Sequence, residues 1–249
     1  MATAVRAIGE QVPTNSAMPW RIRDAIVLVG IGFAALVFTA AVLFAGYSVH
    51  EPNQRPVNSP VVVTELAPAV YYCAILVSLG WFVVRHYHVP WSTLGLRIPL
   101  AGNYTRTLLL FGLFGLSSVG IIFIGRAILN AFHGDTIASF TTGLPSPRSS
   151  LYPAILMESV LLGPLTDELL FRGVLYQALR RNCGVIISTS VSALVFGLIH
   201  QQHALLPITI LLGVFLAIVF EQTQSLYPSI LLNASYNVVL IVLALHISS

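Results

Sequence analysis

The sequence contains no lysine, and charged residues of any kind make up only 8% of its 249 positions. A soluble domain of ordinary composition is about 25% charged. The 12 basic residues are all arginines, and they are scattered along the chain without a basic run or a zinc-finger spacing. These absences argue against a soluble domain, and they exclude nucleic acid as an expected partner.

Cysteine is nearly absent as well, with two residues in different segments. Cys73 falls inside a hydrophobic run, and Cys183 follows two arginines. Two isolated cysteines do not make a disulfide framework or a CxxC metal site. We expect both thiols to pack as small apolar side chains.

Hydrophobic residues are abundant, at 56% of the chain, and they collect in long runs. Most of the runs approach the ~20 residues that cross a bilayer at 1.5 Å per residue. We count seven, at 25–47, 61–84, 107–130, 151–180, 185–203, 205–220 and 226–246. The sequence therefore predicts an all-α fold, a polytopic membrane helical bundle with about seven transmembrane helices.

The fourth run is longer than the others and contains Gly163-Pro164. It predicts either one tilted, kinked helix or a short entry segment followed by the main helix. We divide the chain into an N-terminal segment (1–24), three N-terminal transmembrane helices (25–130) and a core that carries the polar residues (131–249). The first run is read as an uncleaved anchor. Arginines are more frequent in alternate loops, which predicts a cytoplasmic N-terminus.

Three of the late hydrophobic runs carry a polar residue with a motif partner four positions away, the spacing that places two residues on one helix face. An ionisable residue within a membrane span costs about 2.5–3.5 kcal/mol on insertion scales, so it is expected to be paired, to face a cavity or to do chemistry. The spaced residues are Glu168 and Arg172, with Asp167 beside them, then Phe196 and His200, with His203 following, and finally Asn233 and Asn237.

Counting along each helix from its expected cytoplasmic end at 1.5 Å per residue places Glu168 about 20 Å in, His200 roughly 24 Å in and Asn233 roughly 12 Å in. These depths permit the three side chains to meet. A carboxylate, an imidazole and an amide in one wet pocket suit hydrolysis. Each also has a structural reading, as an ion pair, a core histidine or an amide that bonds between helices. The residues alone do not separate an enzyme from a transporter.

The order of the motifs resembles the CPBP family of intramembrane proteases, which includes the type II CAAX prenyl proteases. DELLFRG, from Asp167, resembles the family's EExxxR block running into FRG, and FGLIH, ending at His200, resembles its FxxxH block. LLNASYN, with Asn233 and Asn237, stands where a last block with His and Asn is expected. WSTLGLRIP, from Trp91, is similar to a stretch found before the core of bacterial members.

The resemblance implies an intramembrane endopeptidase of the bacterial inner membrane that acts on a peptide or protein substrate. In the family the first acidic residue of the pair is the general base. The catalytic set carried over to this chain is Asp167, Glu168, Arg172, His200, Asn233 and Asn237. The residues expected to line the substrate cavity are Phe171, Phe196 and Tyr236.

Two positions depart from the family pattern: Asp167 stands for Glu, and Asn233 stands for His. The shorter carboxylate would misplace a bound water by about 1 Å, which can cost about 10²-fold in rate. Asparagine can donate to an oxyanion but cannot titrate or bind zinc well. The cofactor is left open. A zinc ion would need His200 together with Asp167, Glu168 or His203, and the possible ligand set is His200, Glu168 and His203.

Three functions are compatible with these residues and with the resemblance. The first is an active intramembrane peptidase in which Asp167 or Glu168 activates water. The second is an inactive family member that serves as a membrane binding, scaffold or immunity protein. The third is a small-solute transporter, for which the repeat symmetry of many transporters is missing here.

Overall fold

The computed structural model describes residues 19–50, 59–99, 152–200 and 206–248, together with positions 112 and 120. Every regular element in these ranges is helical, which confirms the predicted all-α fold. Apart from positions 112 and 120, the predicted third run (107–130) lies outside the described residues, and so does His203. The number of seven transmembrane helices therefore stays a prediction.

Five of the helices are regular along most of their lengths. Within them and their flanks, three stretches are long and apolar enough to cross a membrane: Ile22–Val42, Ala69–His86 and Leu206–Thr223. Two further apolar helices are shorter, Val185–Ile199 and Leu226–Val242. The helices are α1 (Ile22–His50), α2 (Ser59–Gly80, continued by a π-helical turn, Trp81–His86), α4 (Val185–Ile199), α5 (Leu206–Thr223) and α6 (Leu226–Ser248). The architecture is that of a polytopic membrane helical bundle.

The remaining helix, α3, is one run over residues 152–180 in which α- and π-helical segments alternate. The segments are Tyr152–Met157, Glu158–Leu162 (π), Gly163–Glu168, Leu169–Tyr176 (π) and Gln177–Arg180. Pro164 sits in the first turn that follows a π segment, where its missing N–H is tolerated. The helix is therefore not interrupted at Gly163-Pro164, and a separate entry segment is excluded.

Helix α3 lies at the centre of the bundle. It contacts α1, α2, α4, α5 and α6, and every residue from 166 to 179 is buried. When a helix is buried on all sides, its polar side chains need hydrogen-bond and charge partners from neighbouring helices, because water does not reach them. This position brings the charged residues of α3 within reach of three later helices.

The WSTLGLRIP stretch forms a short 3₁₀ turn, Trp91–Leu94, that packs on α3. The carbonyl of Leu94 accepts a hydrogen bond from Nε2 of Gln177 at 2.9 Å. A Cβ on Gly173 would lie 3.3 Å from that carbonyl oxygen, so glycine allows the close approach. The backbone N–H of Leu226 donates to the Gly95 carbonyl at 2.8 Å, which ties the turn to the start of α6. The glycine of the FRG motif thus has a packing role.

Candidate active site

The innermost part of the site is a buried ion pair on α3. Nη1 of Arg172 lies 2.7 Å from Oε1 of Glu168, and both side chains are fully buried. Nη2 of Arg172 donates to the Gly213 carbonyl on α5 at 3.0 Å. Nδ2 of Asn233 on α6 donates to the same Glu168 oxygen at 3.1 Å. One carboxylate is therefore fixed by two donors and linked to three helices, which compensates a charge that lipid would not tolerate.

The second carboxylate, Asp167, meets the imidazole of His200, the residue after the end of α4. Nε2 of His200 lies 3.4 Å from Oδ2 of Asp167. Nδ1 lies 2.8 Å from the Phe196 carbonyl oxygen. Because a carbonyl only accepts, Nδ1 carries a hydrogen. A carboxylate also only accepts, so the Asp167–His200 contact is attractive when a proton lies between them, on Nε2 or on the carboxyl group.

The two carboxylates differ in access. Glu168 is fully buried, whereas the side chain of His200 beside Asp167 is 31% exposed. The Asp167–His200 pair is therefore the more accessible part of the site. The other oxygen of Glu168, Oε2, is buried and has no hydrogen-bond partner among the described residues.

Aromatic rings connect the inner pair with His200. The guanidinium carbon of Arg172 lies 4.6 Å from the ring centroid of Phe196, a cation–π distance. The Phe196 ring also lies 4.2 Å from the His200 ring and 5.1 Å edge-on from the Phe171 ring, centroid to centroid. Phe171 and Phe196 are fully buried and Tyr236 is 3% exposed. In this conformation Phe171 and Phe196 pack beside the site. The role of all three rings in binding substrate stays a prediction.

The structure thus brings five of the predicted catalytic residues together. They are Asp167, Glu168, Arg172, His200 and Asn233. Asn237 lies one turn beyond Asn233 on α6, and its Nδ2 donates to the Ser159 carbonyl of α3 at 2.7 Å instead. His203 belongs to the undescribed residues. Each asparagine amide has a second N–H.

Two tyrosines of α2 that the sequence motifs did not single out also reach this region. The Tyr72 hydroxyl lies 3.1 Å from the position that a Cβ on Gly163 would take. Gly163 and Asp167 are four apart in an α-helical segment and share one face of α3. The Tyr71 ring packs edge-on against the Tyr72 ring, with 5.2 Å between centroids. The only signal in the sequence is a pair of adjacent tyrosines in a hydrophobic run, which does not indicate a partner.

The donor set does not fit a zinc ion in the described part of the chain. A catalytic zinc takes three protein ligands, and no three His, Cys, Asp or Glu side chains cluster there. One Glu168 oxygen is held by Arg172 and Asn233, and Asp167 and His200 contact each other. The set of Glu168, His200 and His203 includes one residue outside the described ranges, so it stays a prediction.

These observations define a class: a helical membrane protein that gathers two carboxylates, a guanidinium, an imidazole and an amide inside its bundle. Residues 149–239 match the family model described as type II CAAX prenyl endopeptidase Rce1-like. This match and the relatives described next support the resemblance of the chain to the CPBP family. The chain is an integral membrane protein.

Two curated relatives are similar to the chain. The membrane-embedded CAAX protease MroQ of Staphylococcus aureus (strain USA300) is 24% identical over 164 residues, which cover 61% of this chain and 57% of MroQ. YdiL of Bacillus subtilis (strain 168), whose name describes a membrane peptidase, is 22% identical over 142 residues, which cover 49% of this chain and 58% of YdiL. The matches thus span less than two thirds of either relative. No solved structure matches the chain significantly.

Proposed function

We propose that the protein is an intramembrane endopeptidase that hydrolyses peptide bonds with water activated by a carboxylate. The observation that carries the proposal is the contact of Asp167 with the partly exposed His200, beside a second carboxylate that is held in place by Arg172 and Asn233. Acid–base hydrolysis needs a proton acceptor and a proton donor at one accessible place.

In the proposed mechanism Asp167 accepts a proton from water, and the water oxygen attacks the peptide carbonyl carbon. The Asp167–His200 pair then passes that proton to the leaving amine nitrogen as the C–N bond breaks, so the site returns to its starting state. Asn233 donates one N–H to Glu168, and its second N–H is available to stabilise the developing oxyanion. Glu168 and Arg172 form a net-neutral support that keeps Asn233 in position.

The test is cleavage of a peptide library by the purified protein in detergent. Asp167→Asn and His200→Gln should each lower the cleavage rate by about 10²-fold or more, while Arg181→Gln, at the exposed end of α3, should leave it unchanged. If no peptide is cleaved but peptides still bind equally to the wild type and to both variants, the protein is a binding or scaffold member of the family.

The departures from the family pattern give a second test. The 3.4 Å contact between Asp167 and His200 is longer than the 2.7–3.2 Å of a good N–H···O bond. Asp167→Glu adds about one methylene of reach, so this variant, alone or with Asn233→His, should raise the rate of hydrolysis. A folded double variant with an unchanged rate would show that the family mechanism does not operate here.

The metal and the orientation are part of the same proposal and are measured separately. Elemental analysis of the purified protein decides whether zinc is bound in stoichiometric amount. We place the protein in the bacterial inner membrane with its N-terminus in the cytoplasm, because arginines are enriched in the corresponding loops. An N-terminal tag should resist protease added to intact spheroplasts, and digestion of the tag would reverse the orientation.

A further inference from the structure

A groove lies between α1 and α2, outside the region that matches the family model. Its volume is about 410 Å³, and its walls include Val27, Ile31, Val77 and Trp81, with Asp24 and His86 at one end. Val77 is 72% exposed and Trp81 60% exposed. From Asp24 to Ile31 the groove extends about 10 Å along α1, at 1.5 Å per residue. Its shape and lining suit part of a hydrocarbon chain.

The polar end of the groove is where α1 begins and α2 ends. The Tyr87 hydroxyl donates to Oδ2 of Asp24 at 2.8 Å, which fixes this arrangement. The same oxygen accepts the backbone N–H of Arg21 at 2.6 Å, and Nε of Arg23 lies 3.5 Å from the other oxygen. Asp24, the acidic residue that lines this end among the described residues, is therefore already bound by the chain itself.

Basic residues occur in both helices near that end. Arg21 and Arg23 flank the start of α1 beside Asp24, and Arg85 precedes His86 at the end of α2. All three arginines and His86 are exposed. The His86 ring stacks on the exposed Trp81 ring, with 5.5 Å between centroids and 13° between planes. Tryptophan of this kind is typical of the level of lipid headgroups. The groove thus joins an apolar slot to a positively charged end at the membrane surface.

We propose that this groove binds one acyl chain of an anionic phospholipid, whose phosphate contacts Arg23 and Arg85. Basic pockets between transmembrane helices bind anionic headgroups, because the positive charge is complementary and the apolar walls cover the chain. A zwitterionic lipid would gain less from the arginines. A peptide would leave backbone N–H and C=O groups unpaired against apolar walls. The site is independent of the proposed peptidase activity.

The experiment measures thermal unfolding of delipidated full-length protein in detergent, with dioleoyl-phosphatidylglycerol, dioleoyl-phosphatidylcholine or inorganic phosphate added. We expect phosphatidylglycerol to raise the Tm and the other two to leave it unchanged, and native mass spectrometry to show one phosphatidylglycerol retained per chain. An equal rise with phosphatidylcholine, a rise with phosphate alone, or no rise with any addition would overturn the proposal.

Two kinds of variant test the two halves of the groove. Arg23→Gln combined with Arg85→Gln should weaken phosphatidylglycerol binding roughly 30-fold, since each arginine near a charged headgroup contributes about one factor of five. Val77→Trp places a larger side chain in the groove and should abolish retention of the lipid. Because Val77 is exposed, this change should not disturb the packing of the helices. Arg181→Gln removes the same charge elsewhere and should bind as the wild type does. Undiminished binding in both groove variants would contradict the assignment.

Discussion

Two arginine–glutamate ion pairs lie near opposite ends of the buried part of α3, and their surroundings differ. The Arg172–Glu168 pair has an N···O distance of 2.7 Å, and both side chains are fully buried. The Arg180–Glu221 pair has a distance of 3.0 Å, with side-chain exposures of 33% and 24%. The distances differ by little, so burial and the number of partners, rather than the ion contact itself, decide how much each pair matters.

The partners of the two pairs differ in the same sense. The inner pair is bonded to Gly213 on α5 and Asn233 on α6, so it connects three helices. The outer pair receives a hydrogen bond from the Tyr176 hydroxyl to Glu221 at 2.8 Å and connects α3 with α5. A buried pair that loses one member leaves a charge without water, whereas the outer pair can be replaced by solvent.

The comparison is tested most severely by Arg172→Met. This change leaves Glu168 charged and buried, and it should lower the free energy of unfolding by about 3–5 kcal/mol, measured by equilibrium unfolding in mixed micelles. Adding Glu168→Leu removes the stranded charge and should restore much of the loss. If Arg172→Met costs no more than a change at the outer pair, burial does not control these interactions.

A smaller effect is expected for Asn233→Leu. The Glu168 carboxylate then loses one of its two donors while Arg172 remains, so the expected cost is about 1–3 kcal/mol in the same unfolding measurement. Asn237→Leu is the matched control, because it removes an amide one turn away that bonds a neutral carbonyl. It should cost less, about 0.5–1.5 kcal/mol. Equal costs would mean that the charge on the acceptor is unimportant.

The smallest effect is expected for Arg180→Gln. A partly exposed ion pair contributes about 0.2–1 kcal/mol, and that contribution should shrink further when salt is raised, because the Debye length falls to about 3 Å at 1 M. Unfolding of the wild type and the variant at low and high salt measures both quantities. The two ion pairs would not differ in the proposed way if Arg180→Gln lowered the free energy of unfolding as much as Arg172→Met does. The same holds if salt did not change the effect of Arg180→Gln.

The sequence predicted the part of the site that depends on one helix. The spacing of Glu168 and Arg172 placed them on one face, and they form the observed pair. It permitted Glu168 to meet Asn233 of the last helix but did not predict the hydrogen bond between them. Depths counted at α-helical rise put Glu168 and Asn233 about 8 Å apart, whereas their side chains lie 3.1 Å apart. Axial depth leaves out helix tilt, the offset between helices and the length of both side chains, so it does not predict which atoms bond.

The contact between Asp167 and His200 was also beyond sequence reasoning. His200 follows the last residue of α4 and has φ −75° and ψ 40°, outside the helical region. Where its ring points therefore depends on how the chain leaves the helix, which periodicity does not describe. The family resemblance brought the two residues together as members of one motif set, and the structure supplies the pairing.

The short turn before the bundle core has a consequence for the whole chain. Gly95 has φ +106°, and a Cβ there would lie 2.8 Å from Phe220 and 3.1 Å from Leu226. A side chain at this one position would meet both an unfavourable backbone angle and the junction of α5 with α6. Gly95→Ala should therefore make the protein temperature-sensitive. Cells should contain the folded protein at low growth temperature and lose it on warming, although no polar residue of the site has been changed.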